Sequence, residues 1–201
     1  VHVVEQMPPR ETMMVYGGSD YAVTASGGDY TVHIVLGVDS QNRMWVLDLW
    51  RAQASSDKWV EAFCDLVIKW KPIGWAEETG QIKSGVGPFL LKEQALRGAY
   101  VVREAFPTRG DKAVRAQSIR GRMAMHGLYV QSGAPFLEAL LSEMMSFPVA
   151  VHDDQVDALG LCGQLMDRMS AGVDKKAPPE KPVLRTLADM VAAPLAVKRR
   201  R

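Results

Sequence analysis

TMMVYGGSDYAVTASGGDYTVHIVLGVDSQNRMWVLDLW, residues 12–50, decides the fold. Three segments within it, Thr12 to Val23, Tyr30 to Val38 and Arg43 to Trp50, are rich in Val, Tyr, Ile and Trp, the side chains that suit a pleated, half-buried surface. Gly27-Gly28-Asp29 and Asp39-Ser40-Gln41-Asn42 separate them as turns. Strands joined by such short connections pair antiparallel, so the stretch predicts a three-strand meander.

Beyond Trp50 the period changes. Trp59, Phe63, Leu66, Val67 and Trp70 recur at helical spacing after Ser55 and Ser56, which could cap the helix, and Pro72 and Gly74 punctuate its end. These aromatics read as core. Ile73 to Glu78 predicts a short buried strand, Phe89 to Leu96 a helix, Tyr100 to Ala105 a strand, and Asp111 to Met125 a helix. Gly127 to Gln131 is short and extended, and Phe136 to Met145 and Val156 to Met169 are helical. A meander followed by alternating helix and strand defines an α/β fold, a mixed sheet extended by parallel strands and flanked by helices.

The chain has 201 residues, enough for one domain with a tail. No apolar run approaches the roughly 20 residues that span a bilayer, and the N-terminus lacks the pattern of a secretory signal. The start at Val1 suggests a piece of something longer. Cys64 and Cys162 lack zinc-finger spacing and read as buried, reduced thiols. Charge is uneven: eight basic and two acidic residues stand from Lys175 onward, against 16 and 21 before it. A net-negative folded part does not suit a simple DNA-binding module. Yet Lys92 to Arg122 holds eight basic and three acidic residues. Cations for phosphates beside carboxylates for metals are what a nuclease requires.

The acids cluster at three places. Asp20 closes the first strand behind Gly17, Gly18 and Ser19, small neighbours that would let a ligand approach the backbone, although on its own it reads first as a turn or bulge residue bonded to local backbone. Glu77 and Glu78 end the fourth strand, where open α/β sheets place ligands; only one can point the same way as Trp75. Glu78 reads as a solvated strand-exit residue, and Glu77 reads equally as that or as a ligand. His152-Asp153-Asp154-Gln155-Val156-Asp157-Ala158 opens the last helix. Capping and the helix dipole account for one or two of these aspartates but less well for three. Asp153 or Asp154 shares a helix face with Asp157 and could converge on one metal region. Oxygen ligands of this kind suit Mg²⁺ or Mn²⁺, and two such ions roughly 4 Å apart cleave phosphodiesters. With no phosphate-binding Gly-x-x-x-x-Gly-Lys-Ser/Thr loop, the chain alone should not hydrolyse ATP.

Taken in order, these residues resemble the nuclease domain of the large terminase subunit of tailed bacteriophages, a ribonuclease H-like fold. The resemblance runs from about Tyr16 to Met169. It rests on Asp20, the Gly-Asp-Tyr-Thr turn at Gly28 to Thr31, Glu77, the segment Gly110-Asp111-Lys112-Ala113-Val114-Arg115-Ala116, and Phe147-Pro148 before the His152 to Ala158 motif. The glycines and serine before Asp20 depart from the more apolar strand usual there. The resemblance implies a domain over 16–170, with 1–15 a leader and 171–201 a linker and basic tail. It implies Asp20, Glu77 and Asp154 as catalytic metal-binding carboxylates, with Asp153 as rival to Asp154 and Asp157 as a further ligand or support. Asp29 would support the acids or form its turn; His152 would aid water activation or serve as a helix-entry residue. Lys112 and Arg115 would contact DNA phosphates, and Asp111 would be structural. The implied function is metal-dependent cutting of concatemeric viral DNA during packaging, with two Mg²⁺ or Mn²⁺ ions, in the host cell cytoplasm. The implied partners are double-stranded DNA, an upstream ATPase motor domain, a small terminase subunit and a portal protein, with no membrane. A junction-resolving nuclease, a ribonuclease H and a non-catalytic DNA-binding assembly module are the competing readings.

Overall fold

The Val-, Ile- and Trp-rich segments of the meander each form a strand in the computed structural model, which describes residues 1–22, 30–79, 87–107, 116–147 and 153–170. Strands β1 (His2–Val4), β2 (Met14–Asp20), β3 (Thr31–Val38), β4 (Met44–Ala52), β5 (Gly74–Glu78), β6 (Arg103–Phe106) and β7 (Leu128–Gln131) make one sheet in the order β1-β7-β4-β3-β2-β5-β6. The three meander strands pair antiparallel, as their short turns require. Every other pairing is parallel: β5 and β6 extend the β2 side, and β7 and β1 the β4 side.

Five described helices flank the sheet: α1 (Ser56–Trp70), α2 (Gly87–Arg97), α3 (Gln117–His126), α4 (Leu137–Ser146) and α5 (Asp154–Ser170). Two cores result. On one face α1 and α2 pack Trp59, Phe63, Cys64 and Leu90 against Val15, Val35 and Trp75. On the other, α3, α4 and α5 pack Ile119, Leu140, Leu159, Cys162 and Leu165 against Tyr16, Ile34 and Ala76. Both cysteines are buried free thiols.

Two local features differ from expectation. Residues 1–15, expected as a leader, contribute β1 and the first two residues of β2. Arg10 also closes α1, donating from Nη2 to Trp70 O at 2.7 Å and to Lys71 O at 2.9 Å. These carbonyls are among those a helix C-terminus leaves unpaired, and Lys71 turns the chain away at a left-handed φ of 47°. Ser55 is the N-cap of α1 but makes no side-chain capping bond. The expected linker and basic tail at 171–201 lie outside the described residues.

Candidate active site

Side chains alternate along a strand, and this sorts the acids. On β2, Val15, Gly17 and Ser19 face α1, while Tyr16, Gly18 and Asp20 face α5. The two glycines are there for the protein's own packing. A Cβ on Gly17 would stand 2.0 Å from the Trp75 ring, and one on Gly18 would stand 2.6 Å from Cys162 Sγ and 2.8 Å from Ala158 O. The expectation that small residues here open the backbone to a ligand is corrected: the space is filled by Trp75 and α5.

On β5, Trp75 lies in the α1-side core and Ala76 in the α5-side core. Glu77 therefore faces α1 and Glu78 faces α5. The parallel register pairs Gly18 with Ala76 and Ser19 with Glu77. Its next step sets Asp20 beside Glu78 on adjacent strands, which lie about 4.8 Å apart. Glu78 is 6% exposed, so the reading of it as a solvated strand-exit residue is corrected.

The last helix reaches the same place. Ala158 and Cys162 lie over Gly18, and Leu165 and Met169 over Gly74, which is level with Tyr16. α5 thus runs back along β2 and β5, and its N-terminus overhangs their carboxyl ends. Asp154, one turn before Ala158, accepts a hydrogen bond from Tyr30 N at 3.4 Å. Asp153 and Asp154 are buried and Asp157 is half-buried. The start of α5 is held by Glu143 on α4, whose Oε1 accepts from Gln155 N at 2.6 Å and Val156 N at 3.1 Å. Asp20, Glu78 and Asp154 thereby share one face and one strand end. Among the described residues no three His, Cys, Asp or Glu side chains form a ready metal-holding group.

Glu77 stands elsewhere. Its carboxylate is paired with the Arg103 guanidinium, through Nε and through Nη2 at 2.7 Å, and Arg103 reaches Gln94 on α2. Burial pushes the Glu77 carboxyl up, and Arg103 draws it back. Behind it runs a chain of hydrogen bonds. Trp75 Nε1 donates to Ser19 Oγ at 2.7 Å, and Ser19 Oγ lies 2.7 Å from His33 Nδ1. His33 Nε2 lies 2.9 Å from the Trp59 carbonyl. A carbonyl only accepts, so Nε2 carries the proton and Nδ1 accepts from Ser19. Burial holds His33 at about 4.

Lys112, Arg115, Asp111, Asp29 and His152 lie outside the described residues. Trp59 and Phe63 are core, as expected, and Trp70 packs at its margin with Nε1 donating to Asp48 at 2.8 Å.

An antiparallel meander extended by parallel strands, with helices on both faces, has the architecture of the ribonuclease H-like class. Within that class the chain belongs to the terminase RNaseH-like domain family, whose model matches residues 17–162. Among solved structures it is similar to the large terminase nuclease of thermophilic phage G20c with bound magnesium, at 20% identity and TM-score 0.55, covering 81% of this chain and 85% of that one. It is similar to the human cytomegalovirus terminase nuclease domain, manganese-soaked and inhibitor-bound, at 13% identity and TM-score 0.57, covering 78% and 83%. Against the large terminase of a second thermophilic bacteriophage the identity is 12% and the TM-score 0.54, covering 82% of this chain and 43% of that one. No curated protein matches the chain. Among the described residues no helix is long and apolar enough to cross a membrane.

Proposed function

We propose that the chain is a divalent-metal-dependent DNA endonuclease whose ligands are Asp20, Glu78 and Asp154, with Glu78 in the role first assigned to Glu77. One observation carries the reading: in a terminase-family fold, Asp20 and Glu78 fall level on the face that α5 covers, under the helix end that bears Asp154. Glu77 does not fit, because it faces α1 and is already paired with Arg103.

The donor set suits the metal. Carboxylate oxygens favour hard ions such as Mg²⁺ or Mn²⁺, whereas the nearest thiol, Cys162, is buried against Gly18. Metal at this site would supply Lewis-acid chemistry, activating water and countering charge on a phosphodiester, with two ions as the working number. The chain's own residues do the holding. Asp20 and Glu78 are fixed by the β2–β5 register, and Asp154 by Glu143 at the start of α5. Asp157, one turn on, supports Asp154 or a second ion, and Asp153 remains its rival. Lys112 and Arg115 are proposed to bind DNA phosphates. In the whole assembly the cut is made on concatemeric viral DNA in the host cytoplasm, with an ATPase motor domain, a small subunit and a portal as partners.

Plasmid cleavage in Mg²⁺ or Mn²⁺, with a chelator control and Asp20→Asn alongside, tests this. Metal-dependent nicking and linearisation lost in the variant is the expected result. Normal cutting by a folded Asp20→Asn protein would sink the site.

A further inference from the structure

Asp20, Val32 and Arg51 stand level on β2, β3 and β4, and Val32 belongs to the core that α5 covers. Residues directly opposite one another on neighbouring strands share a face, so Arg51 faces α5 two strands away from Asp20. There it lines a cavity with Gln155, the residue after Asp154. Its Nε is buried, and the guanidinium carbon lies 3.4 Å from the centroid of the Tyr30 ring. A cation this close to an aromatic face is held by the ring quadrupole. Tyr30 stands immediately before β3, its ring packs on the α5-side core, and its backbone N donates to Asp154 Oδ2 at 3.4 Å. That bond is longer than the usual range of roughly 2.7–3.2 Å, so it depends on Tyr30 staying in place. Tyr30 is thus held by its ring and holds a carboxylate by its amide.

We propose that Arg51 is a positioning residue for the metal site, fixing through the Tyr30 ring the amide that orients Asp154. The inference rests on the nuclease reading above. Two effects of the guanidinium have opposite signs, which makes the role testable. As a bare charge, Arg51 repels any cation held by the carboxylates and weakens metal binding. As a support for Tyr30 it strengthens binding, because partners that orient a metal ligand are worth about 10–100-fold in affinity. Removing the ring separates the two effects, since Tyr30→Leu loses the contact and leaves the charge.

Calorimetric titration of the whole chain with Mn²⁺ measures this without relying on cleavage, and melting curves in chelator confirm that each variant folds. Tyr30→Leu and Arg51→Met should each bind Mn²⁺ about tenfold more weakly, the low end for such a partner. Arg51→Lys, which keeps a cation over the ring, should recover most of the loss. The double variant should bind no more weakly than Tyr30→Leu alone, because both changes break one link. Unchanged binding by Tyr30→Leu overturns the proposal, as does unchanged or tighter binding by Arg51→Met. A double variant weaker than Tyr30→Leu overturns it too, since Arg51 would then act by another route. In all three cases the nuclease reading stands as long as Asp154→Asn weakens Mn²⁺ binding. Wild-type protein that binds no Mn²⁺, or binds it equally well after Asp154→Asn, sinks that reading and this proposal with it.

Discussion

Glu77 and Glu78 are neighbours in sequence, both buried, and separated by the full thickness of the sheet. On the α1 face, Glu77 meets Arg103, and the Trp75–Ser19–His33–Trp59 chain links polar groups from four elements. On the α5 face, Glu78 and Asp20 stand level at a strand end with Asp154 above them. The first arrangement resembles a frame, in which buried polarity fixes one packing of β2, β3, β5 and α1. The second brings carboxylates from two strands and a helix to one strand end. Burial alone does not separate the two glutamates; the face each occupies does.

The sharpest way to break this comparison is to neutralise the two glutamates separately. Glu78→Gln should reduce cleavage by more than about 100-fold, since even removing an outer partner of a metal ligand costs about 10–100-fold. Its melting temperature should stay near that of the wild type. Glu77→Ala should do the reverse, costing about 3–5 kcal/mol by leaving Arg103 half-buried without its carboxylate. The folded fraction should still cut. Loss of cleavage in a well-folded Glu77→Gln protein, with Glu78→Gln active, would return the ligand role to Glu77.

This contrast also marks how far the sequence could be read. The meander, α1 and the helices near the C-terminus were legible because their signals are local: strand-forming residues, turn residues and apolar spacing. Period 2 established that Glu77 and Glu78 oppose one another and that Glu77 accompanies Trp75. Which face lies under α5 depends on a helix some 80 residues further along the chain, and no local pattern carries that. Trp75 held a partial clue, since so large a ring demands a core and its strand-mate Glu77 goes with it. β1 was illegible for a related reason. Three residues have no period, and His2–Val4 finds its partner strand in Tyr129–Gln131 at the other end of the domain. Arg51 and Glu143 gave no signal, because their partners come from other elements.

A second test sharpens the claim that the α1 face is frame. His33 takes up a proton at about 4 instead of the ordinary 6.5, because burial disfavours the imidazolium although the Trp59 carbonyl favours it. Between pH 4 and 6.5 the unfolded chain therefore binds more protons than the folded one. Stability should fall as pH drops through that window, by about 3 kcal/mol in total. Urea unfolding across the range measures it, and His33→Gln should remove this part of the slope while cleavage at neutral pH stays within a few-fold. A large loss of cleavage without any change in stability would make His33 part of the site.

The smallest effect probes the other side. Glu143 accepts two backbone amides at the start of α5 and the Gln155 side chain, yet burial dominates and pushes its carboxyl up. A raised carboxyl means that the folded state keeps its proton longer than the unfolded state does. The stability Glu143 contributes is then fullest below its ordinary value of 4.5 and is lost as pH rises through the folded value. Glu143→Gln should cost about 1 kcal/mol, the typical worth of a helix cap, with the deficit greatest near pH 4 and shrinking toward neutrality. Denaturant melts of both proteins at several pH values would read it. If the deficit grows with pH instead, the helix dipole and the amides outweigh burial. Glu143 would then hold a negative charge beside Asp154, and the α5 face would extend one helix further than the carboxylates alone define.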